Sequence, residues 1–262
     1  MNNSALLKVS QVVVPLAIFA FMIWYAAHSD DLHRIWLVTA LLLLFFCGVI
    51  GQWLMDSPTG ILISNLNLIS LSRIQLVAWT IVIFSSYFVI VMFRIHKGFS
   101  AIGIPDNLLA ALGISTASFA TVPVVLDSKT RSTVDPKAIR TASLVLKENA
   151  GTIQQNSKGA LYANSHPSDA RFSDLFQGDE IGNTAYVDIS KLQLFLLTLF
   201  VIVAYCCDVW STFAKVTPNS ISSLALPDFS FEELKLLGLS HAGYLTFKAM
   251  NHTPDAPAAS QN

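Results

Sequence analysis

The sequence predicts an all-α integral membrane protein with four transmembrane helices, two short re-entrant or interfacial helices and an internal duplication. Three observations support this fold class. Charged residues make up only 13% of the 262 residues, about half of the ~25% that is typical of a soluble domain. Hydrophobic residues make up 53%, and they gather in long uncharged runs. An ordered series of residues also occurs twice along the chain.

Four uncharged runs reach or approach the length of about 20 apolar residues that a helix needs to cross a bilayer. They are Val12–Ala27, Ile35–Leu54, Ile74–Phe93 and Leu192–Cys207. The first run could be a secretory signal, but only Lys8 supplies a positive charge before it, and the residues after it form a poor cleavage site. A retained N-terminal anchor is therefore the favoured interpretation.

Two further segments are ambiguous. Asn107–Leu126 carries no charge but is rich in small and polar residues and contains Pro123, so it could cross the bilayer or only dip into it. Phe231–Met250 has just one longer stretch without acidic residues or lysine, Leu236–Phe247. Because that stretch is too short to span a bilayer as a helix, the segment is predicted to be interfacial or re-entrant and packed on protein.

The internal duplication is the most informative feature of the sequence. At an offset of 118 positions the following residues recur in order: Asp56 and Asp174, Gly60 and Gly178, Ser72 and Ser190, Gln75 and Gln193, Leu76 and Leu194, Thr80 and Thr198, and Tyr87 and Tyr205. A second series pairs Leu112–Ser115 with Leu237–Ser240. Ordered self-similarity of this kind is typical of a structural repeat.

The duplication divides the chain into five parts. They are an N-terminal transmembrane hairpin (1–54), repeat unit 1 (55–126), a polar cytoplasmic insert (127–172), repeat unit 2 (173–250) and a disordered tail (251–262). Each repeat unit is expected to contain one long span followed by one short helix.

Two repeated pairs of polar residues mark predicted helix starts. The spacing of Ser72 with Gln75, and of Ser190 with Gln193, matches a capping box, in which the serine caps the helix and the glutamine reaches back. This structural role is the favoured interpretation. The alternative is that these four side chains line a path through the membrane.

Hydroxyl and glycine residues in the two units predict contacts between helices. Thr80 and Thr198 each lie seven residues before a tyrosine and share a helix face with it. Since such groups prefer a protein partner in lipid, these faces should contact another helix, with a pore as the alternative. Gly113 and Gly238 lie inside the short helices, where glycine costs about 1 kcal/mol relative to alanine. We expect them to allow close helix approach.

The polar insert is predicted to be cytoplasmic. It begins with a basic stretch between Lys129 and Lys147, and basic residues close to a membrane helix usually stay in the cytoplasm. Asp135 and Pro136 have the pattern of a helix start. Too few large apolar residues are present for a sizeable independent core, so the insert is not expected to be an enzymatic domain. It could dock a cytoplasmic protein through residues 127–187.

Two topologies are compatible with a cytoplasmic insert. If Asn107–Leu126 spans the membrane, the N-terminus is inside and the two units run parallel. If it only dips in, the N-terminus is outside and the units are inverted, as in many transporters. In either case Arg73 and Lys191 lie in a first helical turn, where the helix dipole disfavours cations. Both are predicted to reach towards lipid phosphates.

Candidate chemistry is sparse. The acidic cluster of Asp174, Asp179, Glu180 and Asp188 could hold a cation, but it lacks the alternation of a calcium loop, and a solvated turn is the favoured interpretation. His241 could act in a proton relay, although an interfacial histidine is more common. No catalytic, metal or cofactor motif is present, so we predict no enzymatic activity, no metal and no cofactor.

Several segments resemble a family of uncharacterised bacterial multi-pass membrane proteins, over about residues 55–250. The segments that carry the resemblance are Ser70–Gln75, Leu112–Ser118, Ala170–Phe176, Gly178–Asn183, Asp188–Gln193 and Leu237–Leu245. The resemblance implies a multi-pass protein of the bacterial inner membrane. It implies no particular activity.

Two functions are compatible with the sequence. The first is a membrane-anchored assembly or scaffold protein, favoured by the lack of strongly polar residues in mid-span. The alternative is an oligomeric channel, pore or small transporter built on the duplicated helix unit. Expected partners are the lipid bilayer, a second copy of the chain and a cytoplasmic protein. Nucleic acid is not expected at a net charge of −1 without a clustered basic surface. The candidate functional or packing positions are Ser72, Gln75, Thr80, Gly113, Ser190, Gln193, Thr198, Gly238 and His241.

Overall fold

The fold is seen in a computed structural model that describes residues 3–256, and its regular secondary structure there is helical. Eight α-helices follow one another: α1 (Asn3–His28), α2 (Leu32–Met55), α3 (Leu71–His96), α4 (Asp106–Asp127), α5 (Pro136–Leu146), α6 (Ala150–Asn156), α7 (Ile189–Ala214) and α8 (Phe231–Ala249). Short 3-10 turns connect several of them. The prediction of an all-α membrane fold is therefore confirmed at this level.

Five helices are long and apolar enough to cross a membrane. They are α2, α3 and α7, together with Val9–His28 of α1 and Asp106–Arg131, which is α4 with the turn after it. The four predicted runs all lie inside helices of this set. The ambiguous segment Asn107–Leu126 forms most of α4, which has 22 residues and is no short helix. The structure thus adds a fifth candidate span to the four that were predicted.

α8 lies beside α4 along most of its length and runs in the same direction. Near their starts, the Asn107 side chain donates to the Phe229 carbonyl at 2.8 Å. Near their ends, Lys129 Nζ donates to the Lys248 carbonyl at 2.7 Å. Since α8 has 19 residues, its length of about 28 Å is close to the thickness of a bilayer core.

The two ends of the helix bundle differ in structure. One end carries residues 128–188 and 250–256, which we call the cap; α4 and α8 end there, and α3 and α7 begin there. The other end consists of the connections 29–31, 97–105 and 215–230, which we call the loop end. At the loop end, Arg94 is buried and donates to the carbonyls of Ser100, Ile221 and Ser222 at 2.7–2.9 Å.

The cap shares its hydrophobic core with the ends of the membrane helices. Ile153 and Leu175 of the cap are fully buried, and they belong to one cluster with Leu71 of α3, Val122 of α4 and Leu194 of α7. This agrees with the expectation that the insert cannot build a sizeable core alone. The predicted helix start at Asp135 and Pro136 is confirmed, since Asp135 caps α5 through the Lys137 N–H at 2.9 Å.

The chain after α8 packs against the cap as far as the structure describes it. The His252 N–H donates to Glu180 Oε2 at 2.9 Å, and Thr253 Oγ1 accepts from the Gly182 N–H at 3.0 Å. Residues 251–256 therefore do not form the disordered tail that was expected. The remainder of that predicted tail, 257–262, lies outside the described residues.

The prediction that Ser72 and Ser190 cap α3 and α7 is wrong. α3 begins at Leu71, two residues before the start that a Ser72 cap would give, and Ser70 occupies the N-cap position. α7 is capped by Asp188, whose Oδ1 accepts from the N–H groups of Ser190 and Lys191 at 2.9 and 3.1 Å. A carboxylate at the positive end of the helix dipole accepts stronger, charge-assisted hydrogen bonds than a serine hydroxyl, so Asp188 displaces Ser190 from that role.

Candidate functional site

A cluster of buried ion pairs joins the cap to the helix bundle. We call it the charge cluster, and it consists of Lys129, Asp179, Glu180, Lys191 and Lys248. Lys129 pairs with Glu180, while Asp179 uses one carboxylate oxygen for Lys191 at 3.0 Å and the other for Lys248 at 2.6 Å. These side chains are 3–16% exposed. The lysines come from the ends of α4, α7 and α8, so the cluster holds three helix ends and the cap in one arrangement.

Further hydrogen bonds compensate the desolvation of these charges. The Lys191 Nζ also donates to the Gln177 carbonyl at 2.5 Å, and the Lys248 Nζ donates to the Tyr244 hydroxyl at 3.0 Å. Buried ion pairs are stable only when their remaining donors and acceptors are satisfied in this way. The cluster therefore has a structural role, which is to connect the cap to the ends of the membrane helices.

The electrostatics of Asp179 fit the same role. Burial alone would raise the pKa of this carboxyl group, but the ammonium groups of Lys191 and Lys248 outweigh the burial and hold the pKa below its ordinary range. Asp179 is consequently ionised at neutral pH. Asp179 and Glu180 belong to the acidic cluster seen in the sequence, and both are engaged by lysines. Over residues 3–256, no group of three or more His, Cys, Asp or Glu residues is placed to hold a metal ion.

A second polar feature lies deeper, between α3 and α7 and between α4 and α8. We call it the polar seam, and it consists of Gln75 and Trp79 of α3, Ser115 and Ser118 of α4, Thr198 and Tyr205 of α7, and His241 of α8. Each of these residues is at most 4% exposed. At a rise of about 1.5 Å per residue, they occupy depths of roughly 6 to 24 Å from the cap end.

Two hydrogen bonds cross the polar seam. The Gln75 Nε2 donates to Thr198 Oγ1 at 2.6 Å, which joins α3 to α7. The Ser118 Oγ lies 2.5 Å from His241 Nδ1, which joins α4 to α8. Both bonds connect residues 123 positions apart. The seam therefore joins the helix pair α3 and α4 to the helix pair α7 and α8.

Several buried polar atoms of the polar seam have no hydrogen-bond partner. Within the described part of the chain, the buried side-chain nitrogen and oxygen atoms without a hydrogen-bond partner are Gln75 Oε1, Trp79 Nε1, Ser115 Oγ, Tyr205 Oη and His241 Nε2. All five belong to the seam. A buried polar atom without a partner costs about 1–3 kcal/mol, so their concentration in one part of the bundle makes the seam the candidate site for a small polar molecule.

A cavity opens beside the charge cluster at the cap end. We call it the Arg73 cavity; its volume is about 190 Å³. Its polar lining comprises Ser64, Asn65, Ser70, Ser72, Arg73, Asp179, Lys191, Tyr244 and Lys248. Apolar residues from the end of α4, among them Phe119 and Val122, form the opposite wall.

The structure brings four of the predicted site residues to these features. Gln75 and Thr198 bond to each other in the seam, His241 bonds to Ser118, and Ser72 lines the Arg73 cavity. The predicted orientation of Thr198 towards another helix is thus seen.

The other predicted site residues lie elsewhere. Thr80 donates to the carbonyl of Leu76 in its own helix. Ser190 donates to Asp188, and Gln193 is exposed on the outer face of α7. The two units therefore use equivalent positions differently.

Close helix approach at the two glycines is not observed. A Cβ added at Gly113 would meet nothing within 4 Å, and one at Gly238 would make only an ordinary contact of 3.8 Å with Ile114. Gly113 is exposed, whereas Ser115 and Ser118 of the same helix are buried, and Ser118 lies 2.5 Å from His241 of α8. The expectation that Lys191 reaches towards lipid is also wrong, because Asp179 holds it inside the protein.

The charge cluster was not predicted as a unit. Two of its three ion pairs join residues that are 51 and 69 positions apart in the sequence, and the third covers 12 positions, so local spacing gives no indication of them. One available signal was the four-residue spacing of Tyr244 and Lys248, which places both on one face of α8.

A comparison of the chain with family models, curated proteins and solved structures finds no match.

Proposed function

We propose that this chain is a small transporter or channel of the bacterial inner membrane, built on two repeat units. The observation that carries the proposal is the polar seam, with five buried polar atoms that lack a partner at the interface between the units. In membrane proteins built from repeats, substrate and ion sites commonly lie at the repeat interface near mid-membrane. Buried polar groups inside a bilayer are costly and are therefore typical of functional sites.

The arrangement of the helices supports the duplication. α3 and α7 both have 26 residues and both begin at the cap. α4 and α8 both return to the cap and lie side by side. This corresponds to two parallel repeat units, related by an axis along the membrane normal, and preceded by the hairpin of α1 and α2.

We propose α8 as a sixth membrane crossing, although its composition alone does not indicate one. Its acidic residues Glu232 and Glu233 lie in the first turn at the loop end, where lipid headgroups and water can solvate them. Lys248 lies in the last turn and is neutralised by Asp179. The stretch between them, Leu236–Phe247, carries no acidic residue or lysine and packs along α4.

The proposed orientation places the cap in the cytoplasm. Apart from Lys8, ten lysines and arginines belong to the cap or to the helix turns next to it: Arg73, Lys129, Arg131, Lys137, Arg140, Lys147, Lys158, Arg171, Lys191 and Lys248. Five belong to the loop end: Arg34, Arg94, Lys97, Lys215 and Lys235. Because positive residues are retained inside, the cap side is cytoplasmic, and α1 begins on that side.

Flux measurements test the proposed function. The full chain is reconstituted in liposomes, and proton flux is followed with an enclosed pH-sensitive dye, alongside osmotic swelling in a panel of small polar solutes. We expect flux of at least one species above that of protein-free liposomes, and a loss of that flux in Gln75→Leu and His241→Leu. Thr80→Val is the matched control, because Thr80 bonds only within its own helix. Flux at the protein-free level for every species would refute the proposal.

An assembly or docking function is the second candidate, and a different observation favours it. On α5 of the cap, Leu144 and Val145 are 79% and 50% exposed, next to the basic residues Arg140 and Lys147. The charge cluster holds this surface in a fixed position relative to the membrane. If docking is the function, Leu144→Glu abolishes a biological activity that Gln75→Leu leaves intact.

A further inference from the structure

The guanidinium of Arg73 has few partners within the protein. It forms no ion pair with any carboxylate in the described residues. Its hydrogen bond to the Ile61 carbonyl is long, at 3.4 Å, and its guanidinium lies 5.7 Å from the centre of the Phe119 ring. A guanidinium with several free N–H groups is suited to bidentate binding of a phosphate.

The Arg73 cavity has a cationic lining. Arg73, Lys191 and Lys248 supply three positive charges, against the single negative charge of Asp179. Ser64 and Ser70 add hydroxyl groups that can donate to an anion. The volume of about 190 Å³ is below the ~300–1,000 Å³ of pockets that hold drug-sized molecules. The cavity therefore suits a compact anionic group.

An apolar cleft continues from this cavity towards the lipid. Its volume is about 310 Å³, and Ser64, Asn65 and Arg73 line both the cleft and the cavity. The remaining wall comes mainly from the end of α2 and the segment before α3: Ile50, Gly51, Leu54, Met55, Gly60, Ile61 and Ile63. Leu54 is 75% exposed, so the cleft opens on the outer surface of the bundle. A charged pocket joined to an apolar cleft matches a molecule with an anionic head and an apolar tail.

We infer that the Arg73 cavity binds the phosphate headgroup of an anionic membrane lipid, with an acyl chain in the cleft between α2 and the start of α3. Arg73 is the main headgroup contact, and Ser64 and Ser70 donate to the remaining phosphate oxygens. Phosphate in solution shares the same chemistry but has no tail to occupy the cleft. The inference concerns binding alone and does not depend on transport.

The test measures lipid binding to the purified full chain. The protein is placed in nanodiscs of phosphatidylcholine, with or without phosphatidylglycerol, and separately in phosphatidylcholine with inorganic phosphate. Thermal stability and the lipids retained in native mass spectrometry are recorded. We expect phosphatidylglycerol to raise the Tm and to be retained selectively, and inorganic phosphate to have no such effect. This comparison requires no variant.

Variants at matched positions identify the residue responsible. Arg73→Gln is expected to weaken phosphatidylglycerol binding about tenfold, equivalent to about 1.4 kcal/mol, while Arg73→Lys retains most of it. Arg131→Gln removes an exposed charge at the same end of the bundle and should leave binding unchanged. The inference is overturned if phosphatidylglycerol gives no selective effect, if inorganic phosphate gives the same effect, or if Arg73→Gln binds like the wild type. Lipid retention is measured independently of flux. A failure of this test therefore leaves the proposed transport standing, and an absence of flux leaves the lipid site standing.

Discussion

Asp179 Oδ2 lies 2.6 Å from Lys248 Nζ, which links the cap to the last turn of α8. The other oxygen of the same carboxylate binds Lys191 at the start of α7. One acidic side chain therefore forms ion pairs with two buried cations from two helices. The cap cannot move away from the bundle without separating these charges, so the cap and the membrane helices are expected to behave as one body.

Asp179→Asn should destabilise the protein strongly. The substitution keeps the shape of the side chain but leaves Lys191 and Lys248 buried without a counter-ion, and breaking a buried pair by removing one partner costs about 3–5 kcal/mol. Thermal unfolding in detergent measures the effect. Asp127→Asn removes an exposed carboxylate at the end of α4 and should change the Tm little. Equal Tm values for the two variants would contradict the role assigned to Asp179.

Acidification should weaken the ion pairs of Asp179 with Lys191 and Lys248, but only at low pH. Since Lys191 and Lys248 hold the folded-state pKa of Asp179 below its ordinary value, the carboxylate stabilises the fold fully above the unfolded-state pKa of about 3.9. That stabilisation decreases as the pH falls from this value through the folded-state pKa. The contribution of Asp179, taken as the Tm difference between wild type and Asp179→Asn, should therefore be constant from about pH 5 to 8 and shrink below about pH 4. A difference that already shrinks near neutral pH would contradict this assignment.

Cysteine labelling in intact cells tests the orientation. With the native cysteines replaced, Gln155→Cys in the cap should react with an impermeant thiol reagent only after lysis. Asn219→Cys at the loop end should react without lysis. Both positions are exposed, so a difference between them reports the side of the membrane. Labelling of Gln155→Cys in intact cells would reverse the proposed orientation.

The sequence predicted the apolar helices well because bilayer crossing demands long uncharged runs, which are a local property. α4 and α8 were harder to predict. α4 contains many small and polar residues, and α8 ends in Lys248, whose acidic partner Asp179 lies 69 positions away in the sequence. The seam bonds of Gln75 with Thr198 and of Ser118 with His241 each cover 123 positions. The duplication identified Gln75 and Thr198 as repeated residues, but not that one unit's glutamine binds the other unit's threonine.

Glycine-to-alanine substitutions should have opposite effects on the Tm at a helix position with free space and at one in close contact with backbone atoms. In α4, Gly113→Ala meets no atom within 4 Å and should stabilise the helix by up to about 1 kcal/mol. In α2, a Cβ at Gly51 would lie 2.8 Å from the carbonyl oxygens of Ser57 and Pro58, so Gly51→Ala should lower the Tm. Both residues are helical, so helix propensity alone predicts the same sign for both. A Tm that rises in both variants would show that the turn after α2 shifts to accommodate the added methyl group at little cost in stability.

Replacing the hydrogen bond between Gln75 and Thr198 should separate packing from function in the polar seam. If the seam only packs the helices, the double variant Gln75→Leu with Thr198→Val removes both partners together with an unsatisfied buried oxygen. Such an exchange is close to neutral or stabilising, and flux should not change. If the seam accepts a small polar molecule, the same variant keeps or raises the Tm but loses flux. We expect the second outcome, because all five of the unpartnered buried side-chain atoms in the described residues lie in this one seam. Thr80→Val is the control, since it alters the equivalent position of the other unit without touching the seam. A double variant with wild-type flux would exclude the seam as the path, and the exposed apolar surface of α5 would then be the better guide to function.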